Sequence, residues 1–451
     1  MKTARFDSRT ANLLLTAVAA FATYFCMYAY RKPFTAGTFG GEDFFGMGLK
    51  TVLVLSQLLG YMVSKFIGIR VISEMRQEYR AGVIIGLILC AEGALIGFAW
   101  LPLPWKVLMM FLNGLPLGII FGLVLSYLEG RRQTEALSAA LCASFIVSSG
   151  AVKSVGRWLI VDRGFSEFHM PMIVGGLFLL PLLISVWLLR KTPPPDELDC
   201  RLRSERPVMT REHRRQFVAA YWPGLSLLIF VYIALTVIRT IRDDFGVEIW
   251  HDLGVSQTPS VYATSETLVA VLVTLLNVFA IWITNNLRAL RVTLGLMCLA
   301  FGMVLLSVFG QESGSLAPFA FMVTCGVGLY IPYVAFHTTV FERLVAASRR
   351  PANLGFLMYL ADSLGYLGYA AVMIPRTWGK TPETLLPFFK WSLLCVSGLS
   401  ILALFAAIYY FQRVLEHVEP GDTLEPMPAP YGLQPVPVVL HAQQPLTEPL
   451  D

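Results

Sequence analysis

The sequence predicts an all-α membrane protein of twelve transmembrane helices, arranged as two six-helix halves. Three observations predict it. The composition is too apolar for a water-soluble chain: 56% of the 451 residues are hydrophobic and 14% are charged, with mean hydropathy +0.63, whereas soluble domains carry about 25% charged residues. The apolar residues come in long runs, and about 20 of them in a helix span a hydrocarbon core of ~30 Å. Finally, the runs fall into two sets separated by one long basic stretch.

The first set lies near residues 11–31, 50–69, 80–99, 103–127, 134–154 and 170–189. The second lies near 217–239, 261–284, 289–310, 317–341, 353–375 and 389–411. Runs 134–154 and 261–284 are the least apolar and rich in Ser, Thr and Ala, as expected of helices that line a polar pathway. Residues 1–190 therefore form an N-terminal half and 217–414 a C-terminal half. Between them, 191–216 reads as a cytoplasmic linker, with three consecutive prolines (Pro193, Pro194, Pro195) followed by Arg201, Arg203, Arg206, Arg211, Arg214 and Arg215. Such basic segments commonly set topology and touch lipid headgroups. Residues 415–451 are proline-rich without apolar period and read as a disordered cytoplasmic tail.

Loop charges orient the chain. Lys2, Arg5 and Arg9 precede the first run, and alternate loops carry Arg70, Arg76 and Arg80; Arg131 and Arg132; Arg288 and Arg291; Arg343, Arg349 and Arg350. By the positive-inside rule both termini are cytoplasmic, in the cell's inner membrane. The first run is too long for a secretory h-region.

Several classes are excluded. A net charge of +5, spread over short loops, is not the footprint of a nucleic-acid binder. The seven cysteines (Cys26, Cys90, Cys142, Cys200, Cys298, Cys325, Cys395) include no CxxC or Cys/His cluster, so no metal, cofactor or disulfide framework is expected. No Ser/His, paired-Asp or metal-ligand constellation marks an enzyme.

The candidate functional residues are ionisable groups in apolar runs, where a charge is costly and so functional by default. Arg31 closes the first run and Arg239 stands at the matching place in the seventh, suggesting two cationic jaws facing one pathway. A guanidinium grips phosphate or carboxylate with two parallel hydrogen bonds. Lys32, beside Pro33, reads as an interfacial anchor. Arg242 shares a helical face with Arg239, and Asp243, four residues after Arg239, could neutralise it within the helix. Lys65 lies deep in the second run and Glu266 in the first turns of the eighth, where an ion pair with Arg242 is the plain structural alternative. Glu92, Lys153 and Asp362 are weaker candidates; Lys153 is near enough a helix end to snorkel. His337 reads as a hydrogen-bonded core histidine or a proton relay. Glycines in NGLPLGIIFG (113–122) and DSLGYLGYA (362–370), with Pro116, Pro332 and Pro375, are packing and hinge devices.

These motifs resemble the organophosphate:phosphate antiporter branch of the major facilitator superfamily, typified by glycerol-3-phosphate transporters. YAYRKPF (28–34) is similar to the branch's first-helix tyrosine-rich turn with Arg-Lys-x-Phe, and Ser64-Lys65-Phe66 to its second-helix Ser-Lys-Phe. Arg239, Asp244 and Phe245 keep the seventh-helix spacing, and Glu266, His337 and Gly365-Tyr366-Leu367-Gly368 match positions in the eighth, tenth and eleventh. Two features depart from it. The superfamily loop Gly-x-x-x-Asp-Arg is GIRVISEMR (68–76) here, without the aspartate, and in place of a fifth-helix pocket histidine CASFIVSSG (142–150) offers Phe145 or nearby serines. The resemblance implies the major facilitator fold and a monomeric secondary transporter embedded in lipid. It implies a small organic anion, phosphorylated or carboxylated, held by Arg31, Lys65 and Arg239. It also implies that Glu266 makes and breaks ion pairs as the halves rock, with Arg242 and His337 beside it. A non-transporting membrane sensor of such an anion and a proton-coupled exporter are the alternatives.

Overall fold

In hydrocarbon every backbone N–H and C=O must be bonded within its own segment, so long apolar runs have one outcome, the helix. The computed structural model describes residues 2–128, 134–193, 211–255, 258–281, 283, 285–348, 354–377 and 385–415. The predicted linker, apart from its ends, and the tail lie outside these residues.

The first six helices are α1 (Lys2–Arg31), α2 (Leu49–Glu74), α3 (Gln77–Trp100), α4 (Leu103–Leu128), α5 (Thr134–Val161) and α6 (Met170–Arg190). A 3-10 turn, Pro33–Ala36, and a two-stranded hairpin, β1 (Asp43–Phe44) against β2 (Met47–Gly48), join α1 to α2. The chain continues through α7 (Arg211–Asp244), the short α8 (Gly246–Asp252), α9 (Ser260–Ile281), α10 (Asn286–Glu312) and α11 (Pro318–Ala335). A π turn, Phe336–Val340, leads into α12 (Phe341–Ser348), and α13 (Leu354–Thr377) and α14 (Leu385–Leu415) complete the described elements.

Each predicted run falls on helix. Among the described residues, nine helices or helical runs are long and apolar enough to cross a bilayer, against the twelve expected. The three that fall short are α5, α9 and α13. In the packing, α5 lies along α9, and α2 meets α13, joining the earlier helices to the later ones. The most extensive of the other contacts stay within each group, α2 on α4 and α1 on α6 in the first, α10 on α14 and α7 on α13 and α14 in the second.

The close crossings need small residues. A Cβ on Gly114 would stand 2.1 Å from the Gln57 carbonyl oxygen, and one on Gly150 would stand 2.4 Å from that of Tyr262. The first glycine lets α4 press onto α2; the second lets α5 press onto α9, so both act as packing devices. Lipid-facing positions are large and apolar: Leu299, Leu306 and Leu402 are each at least two-thirds exposed, as are Trp100 and Trp391 near helix ends. A water-soluble surface would not carry such a belt. The protein is an integral, multi-pass membrane protein.

Candidate functional site

Helices from both groups converge on one cavity. α1 contributes Tyr24, Tyr28 and Arg31; α2 contributes Gln57, Tyr61 and Lys65; α7 contributes Arg239, Thr240 and Asp243. Tyr333 and His337 come from the end of α11 and the π turn, and Asp362 and Tyr366 from α13. The i, i+4 spacing within each set puts one face of each helix on the cavity. Its volume is ≈60 Å³, room for roughly four to six waters and so for one small charged group. Phe145 of α5 also lines it, at the position where the sequence offered a phenylalanine for a histidine.

Most cations around this cavity are neutralised by carboxylates from the other group of helices. Lys32, expected to be an interfacial anchor, is instead buried, 5% exposed, and pairs with Asp243 at 2.7 Å and with Asp244. The 3-10 turn that begins at Pro33 folds the chain back and keeps Lys32 inward. Lys153 does not snorkel either; it is buried on α5 and pairs with Asp243 at 2.5 Å. Ser149 donates to the same carboxylate. Asp243 therefore serves cations from α1 and α5 and forms no ion pair with Arg239, four residues before it in the same helix. Lys50, at the start of α2, pairs with Glu248 of α8 at 2.6 Å. Lys65 pairs with Asp362 of α13, which also accepts from the Tyr232 hydroxyl.

Arg242 and Glu266 pair with each other at 2.8 Å, away from the cavity lining. The Arg242 guanidinium also donates to the Met322 carbonyl at 3.0 Å. It lies over Gly326, where a Cβ would stand 2.7 Å from its Nη2. The pair joins α7 to α9 within the second group of helices, so in this arrangement it is a brace.

Arg31 and Arg239 differ from all of these. Neither has a carboxylate within 4.0 Å among the described residues, and both face the cavity. Each is stacked on tyrosines instead: Arg31 lies 3.9 Å from the Tyr61 ring centroid and 5.8 Å from that of Tyr28. Arg239 lies 4.1 Å from Tyr333 and 5.9 Å from Tyr330. Arg239 is 8% exposed and its Nε is buried without a hydrogen-bond partner. Cation–π stacking is worth about 0.5–2 kcal/mol, less than the several kcal/mol that burying an ion costs. The protein alone thus under-compensates the buried Arg239, and leaves the half-buried Arg31 without a counter-charge.

His337 reaches the cavity because the π turn inserts an extra residue after α11, a feature frequent at functional sites. Its Nδ1–H donates to the Tyr333 carbonyl at 2.8 Å, leaving Nε2 as the free nitrogen of the neutral ring. Of the six sequence candidates, Arg31, Lys65, Arg239 and His337 share the cavity, whereas Arg242 and Glu266 do not line it. Sequence reasoning missed the tyrosines, took Lys32 for an interfacial anchor and Asp243 for the partner of Arg239, and placed Lys153 among the weaker candidates. The usable signal was period: Tyr24 and Tyr28, Tyr61 and Lys65, and Tyr333 and His337 each repeat at i, i+4. Among the described residues, no group of three His, Cys, Asp or Glu is placed to hold a metal ion.

Solved structures of similar shape share the fold with little sequence identity. A D-xylose–proton symporter superposes with TM-score 0.61 at 11% identity, over 87% of this chain and 96% of its own. The POT family transporter PepTSo gives 0.60 at 13%, over 90% and 99%. The nucleoside transporter NupG gives 0.57 at 13%, over 88% and 99%. These likenesses establish a major facilitator-type fold. No curated protein matches the sequence. One family model, described as a family of unknown function (DUF5690), matches residues 33–414, and the chain belongs to that family.

Proposed function

We propose that the protein is a secondary active transporter of a small organic anion, phosphorylated or carboxylated, which is held between Arg31 and Arg239. One observation carries this reading: two guanidiniums, one from each group of helices, face the same small cavity with no protein carboxylate of their own. A dianion would supply the missing charge, with two parallel hydrogen bonds available from each planar fork. The remaining cations at the cavity are already matched by Asp243, Asp244 and Asp362. The fold shared with transporters of a sugar, a nucleoside and a POT-family cargo supports transport as the activity.

In this reading residues 1–190 and 217–414 rock about the cavity, joined by the linker 191–216, with both termini on the cytoplasmic side of the cell membrane. The pairs Lys32–Asp243, Lys153–Asp243, Lys50–Glu248 and Lys65–Asp362 all cross between the two halves. They must break in turn for the cavity to open to either side. Bound charge on Arg31 and Arg239 relieves repulsion between the halves and favours exchange over free uniport. One chain supplies the whole site, so a monomer suffices.

The test is thermal stabilisation of the purified protein against a panel of phosphorylated and carboxylated metabolites, with Arg31→Ala and Arg239→Ala as controls. A ligand bound only by the folded state stabilises it by RT ln(1 + [L]/Kd). A hit lost in both variants is then loaded into liposomes for exchange. Hits indifferent to both substitutions sink the reading, and binding without exchange would make the protein a sensor of the same anion.

A further inference from the structure

α3 supplies nothing to the cavity lining, yet it carries a carboxyl group in mid-helix. Glu92 lies eight residues before Trp100, about 12 Å along the axis at 1.5 Å per residue. Its Oε2 is buried and has no hydrogen-bond partner, and no cation pairs with it among the described residues. The helix packed over it leaves room by being a glycine: a Cβ on Gly175 of α6 would stand 2.1 Å from Oε2. The same position would stand 3.2 Å from Cε1 of Tyr30, so the Glu92 carboxyl and the Tyr30 ring converge on Gly175. The Tyr30 hydroxyl is likewise buried without a partner.

The groups facing Glu92 are few. From α1 comes the buried Tyr30. From α6 comes Gly175, and residues 172–179 of that helix contain nothing titratable. From α4, Asn113 bonds to the backbone carbonyl of the neighbouring Ala91, and Lys106 donates to the carbonyls of Phe98 and Ala99. An ionised carboxylate here would have no counter-charge, which apolar surroundings penalise heavily, so the site accommodates the neutral acid.

Asn113 then connects this acid to the cavity. Its Nδ2 donates at 3.1 Å to the carbonyl of Ala91, next to Glu92, and at 3.1 Å to that of Tyr30. Gln57 donates to Asn113 Oδ1 at 2.7 Å and to the Arg31 carbonyl at 2.9 Å. The end of α1 that aims Arg31 at the cavity is thus clamped by two amides, one of which is bonded to the backbone beside Glu92.

We propose that Glu92 is a proton-binding site linked through the end of α1 to the anion site at Arg31, an inference that rests on the transporter reading for its second half. The step is carboxylate plus proton giving carboxylic acid. On release of the proton, the Tyr30 hydroxyl is the donor in reach of the new charge. Turning to it shifts the residue that precedes Arg31. Protonation and anion binding then favour the same geometry.

The test uses the full chain in lipid, wild type against Glu92→Gln, with two readouts. Infrared difference spectra between about pH 5 and about pH 9 bracket exposed and buried carboxyl groups. They should show a carboxylic-acid carbonyl band that Glu92→Gln lacks. Tyr30→Phe, which keeps the ring and removes only the donor, should carry that band to higher pH. Sulfate, whose charge is constant over this range, is the anion probe. Its apparent affinity by thermal stabilisation should be at least about fivefold tighter at the acid end in wild type, within the range of ordinary site–site coupling. In Glu92→Gln it should be flat. A wild-type spectrum indistinguishable from that of Glu92→Gln overturns the proton site, whatever sulfate does. The same pH dependence in both proteins overturns the link. An intact band with sulfate stabilising no form would count against the anion transporter and leave the proton site standing.

Discussion

Two sets of cations occupy the centre of this protein, and they are treated in opposite ways. Lys32, Lys50, Lys65, Lys153 and Arg242 each have a carboxylate at ion-pair distance. Arg31 and Arg239 have tyrosine faces instead. All are buried except Arg31, which is half-buried, and Arg239 is as buried as the paired cations, so burial alone does not separate binding residues from braces. What separates them is whether the protein has already supplied the opposite charge. Four of the five paired cations use partners across the two groups of helices, which makes them closures as well. The exception, Arg242–Glu266, stays within one group.

The largest expected effect is at Asp243. Asp243→Asn strands Lys153 and leaves Lys32 with Asp244 alone, and breaking a buried pair by removing one partner costs about 3–5 kcal/mol. Thermal unfolding in detergent should show it. A loss below about 1 kcal/mol would put the network in contact with water and erase the contrast drawn here. Next come the arginines. Arg31→Ala or Arg239→Ala should weaken binding of the cognate anion by roughly 2–5 kcal/mol, at least about thirtyfold. Stability should rise or stay level, because an uncompensated charge is removed. Coupled loss of binding and stability would class them with the braces. Arg239→Lys sharpens the point, since it keeps the charge and removes the fork. Normal exchange in liposomes by that variant would refute a bidentate grip.

Glu266→Gln should cost about 1–3 kcal/mol in stability by leaving Arg242 short of its partner, with little change in anion affinity. An affinity change as large as that at Arg31 would return this pair to the binding machinery. The smallest effect is expected at Tyr333. Tyr333→Phe should be close to neutral for binding, and Tyr333→Leu should lose the stacking, about 0.5–2 kcal/mol. Equal losses in both variants would mean that the hydroxyl, not the ring face, contacts the ligand.

Much of this was legible in the residues. Arg31 and Arg239 at corresponding places in two sets of helices, and Lys65 deep in a run, all pointed inward from the residues alone. Pairing was not legible. Asp243 sits four residues from Arg239, and local spacing made that the natural pair; its actual partners are 211 and 90 positions away in the chain, at Lys32 and Lys153. Lys32 directly follows α1, and Lys153 stands at the end of the apolar run read from the sequence (134–154) although the helix continues to Val161; there sequence gives no reason to prefer burial over snorkelling. His337 owes its position to a π turn, for which neither its own identity nor its spacing gave notice.

The sequence by itself determined the membrane class, the helices and the ionisable groups inside them, because hydrocarbon forces backbone hydrogen bonds to close locally and makes a buried charge too costly to be incidental. Only the tertiary structure decided which of those charges were cancelled. Ion pairing depends on side chains meeting across helices far apart in the chain, and no local spacing encodes that. The two arginines left without a carboxylate became visible only once every other charge had found its partner.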